Sequence, residues 1–206
     1  MGRIKSALEI ALERTESVKS DKGSIDQFEA KQQGKKLANQ FLGEDAQRVS
    51  IAGTNLAEAI KKTPRDQQES LKQGIFDVLL SQITLPLSRD DEKRIEAVGK
   101  GLQLVINDNK FTALYKQLSQ LLTRYLDESA QYDEAIRRQY EPKLRQKEEE
   151  LSRRMGRKVQ IDPLQDPEFL AFYNQNMNAL KGNYQTAVDQ VREEARRIFE
   201  GKRMMA

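Results

Sequence analysis

The 206-residue chain contains no cysteine, no histidine and no tryptophan. Without cysteine there is no disulfide framework and no thiolate nucleophile. Without cysteine and histidine the chain also lacks the ligands and the imidazole base that most zinc, haem and nucleophilic sites use. We therefore expect a protein that is not an enzyme and that needs no cofactor and no metal. Glycine and proline are sparse, with 11 and 5 residues, so few positions should interrupt regular secondary structure.

Long apolar runs are also missing. The longest uncharged stretch that we find covers residues 169–180, twelve residues that include four Asn or Gln side chains. A membrane-spanning helix needs roughly 18 consecutive apolar residues. The first residues of the chain lack the apolar segment of a signal peptide. These observations predict a cytoplasmic protein without an integral membrane segment.

The residues that are present favour helices. Charged residues make up 33% of the chain and hydrophobic residues 37%. Ala, Leu, Glu, Gln, Lys and Arg are abundant and no alternating β-branched run occurs, so propensity and periodicity predict an all-α protein. We expect a bundle of about five helices over residues 1–109 and a long antiparallel coiled-coil-like helical hairpin over residues 110–200. The hairpin should turn at residues 156–166, and residues 201–206 should form a short tail.

Turn-forming residues divide the expected bundle. Ser20–Ser24 contains Ser, Asp and Gly and predicts a break after the first helix. Gly43 should separate the second helix from the third. Thr63 and Pro64 are favourable N-cap and N1 residues for a fourth helix, which is apolar on nearly all sides and should be the most buried.

Further signals end the bundle. Pro86 should terminate the fourth helix, and Ser88 should cap the fifth. The fifth helix contains Gly99 and Gly101, which we attribute to close helix packing because the phosphate-loop spacing is absent. The segment Asn107-Asp108-Asn109 is typical of a turn, and we place the domain boundary there.

The hairpin is predicted from apolar spacing. From Phe111 to Met155 apolar residues recur at close to the helical period, and Gly156 should stop the helix. The second helix should begin at Asp166-Pro167. It carries a heptad seam formed by Leu170, Tyr173, Met177, Leu180, Tyr184, Ala187, Val191 and Ile198.

Matching the two seams places Tyr140 opposite Tyr184. In that register Pro142 lies opposite Gly182. Proline removes a helical hydrogen bond and glycine lowers helix propensity by about 1 kcal/mol, so we expect a hinge at these two residues.

The candidate binding site lies at the expected hairpin tip. Residues 110–165 contain twelve basic and nine acidic residues, which accounts for the whole net charge of +3. At the tip, basic side chains are mixed with apolar ones, and Phe172 is expected at an outward position of the second helix. Arg and aromatic residues on a projecting surface are typical of binding hot spots. The candidate partner-binding residues are Arg153, Arg154, Arg157, Lys158, Ile161, Leu164 and Phe172.

A purely structural interpretation of these residues is also open. Glu149 and Glu150 precede Arg153 and Arg154 by four residues, the favourable order for intrahelical ion pairs. Cations near a helix C-terminus are also stabilised by the helix dipole.

Three functions remain compatible with this pattern. The first is a scaffold or adaptor that uses the hairpin to dock a protein partner or a second copy of itself as a homodimer. The second is a nucleic-acid or ribosome-associated factor whose basic tip contacts phosphate. The third is a stalk-like arm of a larger membrane-associated machine, which rests on the long-hairpin shape alone.

Overall fold

The structure is a computed structural model. It describes the backbone of residues 7–43 and 49–203, and the side chains of residues 23–43 and 56–202. Over these residues the chain is all-helical and has no strand, so the all-α prediction is confirmed. The helices are α1 (Ala7–Gly43), α2 (Val49–Lys62), α3 (Arg65–Ser81), α4 (Asp91–Ile106), α5 (Asn109–Met155) and α6 (Pro167–Arg203). A short 3₁₀ helix, Pro163–Gln165, lies between α5 and α6.

The predicted break at Ser20–Ser24 is wrong, because α1 continues through it. Gly23 is exposed and a Cβ built on it would meet nothing within 4 Å. A solvent-facing glycine costs a helix only about 1 kcal/mol relative to alanine, which is too little to end it. The described part of residues 1–108 therefore contains the four helices α1 to α4 in place of the expected five.

The junction between α2 and α3 also differs from the expectation. The Thr63 hydroxyl donates to the Ala59 carbonyl at 2.8 Å, so Thr63 closes α2 and does not cap α3. Pro64 occupies the N-cap position and Arg65 is the first helical residue.

The predicted end of α3 at Pro86 is wrong, because α3 already ends at Ser81. Ser88 does not cap the following helix either, since α4 begins at Asp91, whose carboxylate accepts the Ser88 backbone N–H at 3.3 Å. The junction between α4 and α5 follows the prediction, because Asn107 adopts a left-handed conformation with φ of 47° there.

By its Cα positions the chain divides into two compact units. Unit 1 comprises Met1–Ile83, Lys93–Phe111 and Ala195–Ala206, and unit 2 comprises Thr84–Glu92 and Thr112–Glu194. In unit 1, Leu71, Ile75 and Leu79 of α3 are fully buried, in agreement with the expectation that this helix lies in the core. Phe76 stacks on Phe199 of α6 with ring centroids 4.1 Å apart.

Two glycines let α1 and α3 touch through their backbones. A Cβ built on Gly34 would lie 2.1 Å from the Leu71 carbonyl oxygen, and one built on Gly74 would lie 2.1 Å from the Lys31 carbonyl oxygen. Gly101 is also closely packed, since a Cβ there would lie 2.7 Å from Leu79 Cδ1. Close packing at Gly101 confirms the expectation, whereas the α1–α3 crossing was not predicted.

In unit 2, α5 and α6 contact each other in opposite directions. Tyr125 contacts Tyr184 with ring centroids 5.0 Å apart, and Tyr140 contacts Phe169 at 5.3 Å. The predicted pairing of Tyr140 with Tyr184 is therefore wrong by about four helical turns. Pro142 and Gly182 are therefore not opposite each other. Each lies inside a continuous helix. The hinge itself stays a prediction.

The buried stripe of α6 departs from the predicted heptad seam at its start, where Phe169 is buried and Leu170 is half-buried, and again in its second half. Met177 and Leu180 are buried as expected, but Val188, Ala195 and Phe199 are buried in place of Ala187, Val191 and Ile198. A straight helix drifts by about 20° per heptad, so its buried stripe moves away from a strict seven-residue repeat.

Candidate functional site

The connection between α5 and α6 folds back along α5. Gly156, with φ of 64°, ends α5 as predicted. The backbone N–H of Val159 then donates to Ser152 Oγ at 2.9 Å, and that of Ile161 donates to Glu148 Oε1 at 2.9 Å. As a result α6 begins beside Lys147 and not beside the last turn of α5, which explains the shifted register.

This connection carries an exposed mixture of apolar and basic side chains. Leu151, Met155 and Leu164 are exposed by 37%, 53% and 52%, and the first two are four residues apart on one face of α5. Four exposed basic residues lie among them in sequence: Arg153, Arg154, Arg157 and Lys158. We call these seven residues the connection surface. Ile161, which was also predicted as a site residue, is half-buried and is not one of these seven residues.

Phe172 does not belong to this surface, and its predicted outward position is wrong. Its side chain is half-buried and packs against the cluster of Ile136, Tyr140, Phe169 and Met177. Its ring centroid lies 6.1 Å from that of Tyr140. The shifted register is the cause, because the first turns of α6 face the middle of α5.

A cleft of about 310 Å³ opens next to this aromatic cluster. Its apolar wall consists of Tyr140, Leu144, Pro163 and Phe169, and its rim carries Glu134, Arg137, Arg138 and Glu141. We call it the Phe169 cleft. Its lining thus combines two aromatic rings with two basic and two acidic groups.

Arg137 contacts both Asp133 and the Phe169 ring at the edge of the cleft. Its Nε donates to Asp133 Oδ2 at 2.9 Å, and its guanidinium carbon lies 6.0 Å from the Phe169 ring centroid. The hydrogen bond from Arg137, together with one from the Tyr173 hydroxyl, lowers the pKa of Asp133, while burial raises the pKa of Tyr173. Asp133 therefore stays charged near neutral pH and orients both partners.

A second group of polar residues joins α6 to α5. Lys147 Nζ lies 2.7 Å from Asp166 Oδ2, 2.8 Å from Glu168 Oε2 and 3.3 Å from the Tyr140 hydroxyl. Lys143 Nζ also contacts Glu168 Oε2, at 2.9 Å. We call these five residues the Lys147 cluster. Asp166 is buried and its Oδ1 accepts the Glu168 backbone N–H at 3.0 Å, so it also caps α6, as its sequence position predicted.

The two lysines and the two carboxylates of the Lys147 cluster hold one another in their charged forms. Hydrogen bonds from Lys147 and then Lys143 lower the pKa of Glu168 to about 2, and Lys147 lowers the pKa of Asp166. The hydrogen bond to Asp166 raises the pKa of Lys147. A lysine that stays protonated is a poor amine nucleophile at neutral pH, so this arrangement suits a structural contact better than covalent catalysis.

The described side chains contain no group of three or more His, Cys, Asp or Glu residues that could hold a metal ion. Within the described part of the chain, no helix contains an apolar stretch long enough to cross a membrane.

Sequence reasoning missed both the Phe169 cleft and the Lys147 cluster. Asp166 was recognised as a cap, but its partner Lys147 lies 19 residues earlier in the chain. Only the path of the connection brings these residues together, and no short-range spacing reports that path.

The described fold and site define an all-helical protein in which α5, α6 and their connection form a cleft lined partly by aromatic residues and carry an exposed apolar and basic surface. Residues 57–197 match the model of a family of unknown function, DUF6657, and the chain belongs to that family. No curated protein and no solved structure matches the chain.

Proposed function

We propose that this protein is a non-enzymatic, cytoplasmic scaffold or adaptor that binds a protein partner, or a second copy of itself, through the connection surface. In this proposal residues 110–200 act as a long helical hairpin that presents the surface, and residues 1–109 form the supporting bundle. One observation carries the proposal: three exposed large apolar side chains and four exposed basic side chains lie within residues 151–164.

The composition of the surface favours a protein over other ligands. Exposing large apolar side chains to water is unfavourable in free energy, and burying them against a partner removes that penalty. Met and Arg are also enriched at protein interfaces. The charge within residues 151–164 is four basic against one acidic residue, Asp162. An interface with a complementary acidic rim would gain association rate and specificity from this imbalance.

The connection surface is less suited to binding nucleic acid than to binding a protein. Single-stranded nucleic acid is usually held by aromatic rings that stack on bases. Phe172, the ring that could have served, packs against Tyr140, and residues 151–164 contain no aromatic residue. We therefore treat nucleic-acid binding as an alternative outcome of the test below.

Site-directed photo-crosslinking tests the proposal. We would replace Leu164 with p-benzoylphenylalanine in cells that express the protein, irradiate them and identify the crosslinked species by mass spectrometry. We expect one dominant protein adduct, whose mass distinguishes a different protein from a second copy of this chain. The double variant Arg154→Glu/Arg157→Glu should reduce its yield at least tenfold, because it reverses the charge that an acidic partner meets.

The matched control is Lys116→Glu/Lys181→Glu, which makes the same change in net charge at exposed positions of α5 and α6. Its adduct yield should equal that of the unmodified background. Equal loss in both double variants, or no protein adduct, would refute the proposal. An adduct that nuclease removes would replace it with the nucleic-acid function.

A further inference from the structure

Helix α1 carries a second exposed mixture of apolar and charged side chains. Ile25 and Phe28 are exposed by 56% and 63%, and because they are three residues apart they lie on one face of the helix. Next to them in sequence, Asp26 is half-buried and Glu29 is exposed. We call these four residues the α1 patch.

The two apolar residues of the α1 patch face away from the core of unit 1. Ala30 of the same helix is buried, and Gly34, one turn further on, contacts α3 through its backbone. At about 100° per residue, Ile25 and Phe28 lie about 140° and 160° from Ala30 around the helix axis. Large apolar groups that are exposed together and rimmed by polar residues are typical of protein–protein contacts.

The α1 patch and the connection surface carry opposite charge. Residues 21–30 contain three acidic residues and one basic residue in sequence, whereas residues 151–164 contain four basic residues and one acidic residue. Lys31, the next basic residue of α1, is paired with Asp77 at 2.9 Å. Lys35 and the lysine after it lie about 9 Å or more beyond the patch along the helix, close to the Debye length of about 8 Å at physiological ionic strength. The patch is therefore acidic where the connection surface is basic.

These charges favour one of the three ways in which the two surfaces can pair between two copies of the chain. Two connection surfaces would bring two net positive charges together, and two α1 patches would bring two net negative charges together. A connection surface and an α1 patch combine opposite charges. Like charges facing each other across an interface are unfavourable, whereas complementary charges favour the correct pairing. The charges therefore select a contact between unlike surfaces.

We propose that the connection surface of one copy of this chain binds the α1 patch of a second copy. This inference rests on the proposed function and identifies its partner. The exposed apolar side chains of the two surfaces cover each other. Arg157 and Lys158, which lie beyond the end of α5, contact the acidic side chains of the patch. A contact between unlike surfaces continues from copy to copy, into rings or open chains.

Sedimentation velocity of the purified full chain tests the proposal. The two surfaces contain seven and four residues, against roughly 20–30 residues a side in a standard interface, so we expect weak association. The weight-average sedimentation coefficient should rise between micromolar and millimolar concentration at low salt, and high salt should suppress the rise. A chain that stays monomeric at millimolar concentration and low salt would overturn the proposal.

Charge reversal identifies the two surfaces. Arg154→Glu/Arg157→Glu makes both surfaces acidic, and Asp26→Lys/Glu29→Lys makes both basic, so each double variant alone should associate at least tenfold more weakly. An equimolar mixture of the two double variants should associate again, because the basic surfaces of one then meet the acidic surfaces of the other. A mixture that does not recover association would refute this pairing.

Matched controls make the same changes in net charge at exposed positions elsewhere. Lys116→Glu/Lys181→Glu is the control for the connection surface, and Glu58→Lys/Glu200→Lys is the control for the α1 patch. Both should sediment like the unmodified chain, and circular dichroism at 222 nm should confirm that every variant is folded. Equal weakening in the controls would show that net charge, and not these two surfaces, governs association.

Photo-crosslinking from Leu164 separates this inference from the proposed function. In a mixture of ¹⁵N-labelled and unlabelled chain, we expect crosslinks from Leu164 to α1 in which the two peptides carry different labels. Crosslinks within single chains only would overturn the inference. A monomeric purified chain whose Leu164 crosslinks a different protein in cells would overturn this inference alone, whereas the absence of any protein adduct in cells would contradict the proposed function.

Discussion

The side chain of Lys147 connects α5 to the beginning of α6. Its ammonium group contacts Tyr140 of its own helix, the buried N-cap Asp166, and Glu168 in the first turn of α6. Asp166 would otherwise be a buried carboxylate whose charge is balanced mainly by backbone N–H groups. Lys147 thus determines where α6 begins along α5, and with it the position of Phe169 in the cleft.

The Lys147 cluster predicts a specific pH dependence of stability. Asp166 and Glu168 have lowered pKa values in the folded protein, with Glu168 at about 2. They therefore stabilise the fold above their ordinary pKa values, and this contribution is lost as the pH falls through the folded values. We expect Lys147→Met to lower the melting temperature at pH 7 and to have little effect at pH 2, as measured by circular dichroism.

The control is Lys181→Met, the same substitution at an exposed position of α6. It should shift the melting temperature little at any pH. If Lys147→Met lowered the melting temperature by the same amount at pH 7 and at pH 2, the ion pairs would not be the source of the effect.

At the scale of elements, the contact between α1 and α3 depends on two glycines. The Cβ positions of Gly34 and Gly74 are each occupied by a backbone carbonyl of the other helix. Backbone atoms cannot move aside as a flexible side chain can, so a methyl group would force the helices apart. The ion pair between Lys31 and Asp77, at 2.9 Å, would be disturbed as well.

We therefore expect Gly34→Ala and Gly74→Ala each to lower the free energy of unfolding by about 3 kcal/mol, the upper end of typical overpacking costs. Gly23→Ala in the same helix α1 is the matched control, because a Cβ there meets nothing. It should raise the free energy of unfolding by up to about 1 kcal/mol through better helix propensity. Urea denaturation measures all three, and stabilisation by Gly74→Ala would show that the helices do not cross this closely.

At the scale of the whole molecule, three helices contribute to both compact units. Residues of α4, α5 and α6 are assigned partly to unit 1 and partly to unit 2, and each helix is continuous. Helix formation is cooperative along a continuous segment. Melting of one unit should therefore destabilise the other.

We predict a single unfolding transition. All six tyrosines, at 115, 125, 132, 140, 173 and 184, belong to unit 2, and the chain has no tryptophan. Tyrosine fluorescence therefore reports unit 2, whereas circular dichroism at 222 nm reports all helices. The two probes should give coincident denaturation curves, and Gly34→Ala in unit 1 should shift both equally. Separate midpoints would instead support independent domains on either side of residue 109.

The helical class and several helix ends follow from the amino-acid sequence alone, because they depend on neighbouring residues. Helix propensity specified the all-α class, and Gly156, Asp166 and Asn107 end or begin helices where local chemistry predicts it. The connection surface was also visible, since exposed basic residues at a loop need no distant partner. The hinge at Pro142 and Gly182 and the domain boundary at 109 stay predictions.

The helix register, the α1–α3 crossing and the cleft depend on contacts that appear only in the three-dimensional fold. Apolar seams are nearly periodic, so several registers of α5 against α6 bury similar surfaces, and sequence spacing cannot choose among them. The choice comes from the connection folded back along α5 and from the ion pair between Lys147 and Asp166. That choice packs the half-buried Phe172 against Tyr140 and creates the Phe169 cleft, because the contacts join residues that are distant in the chain.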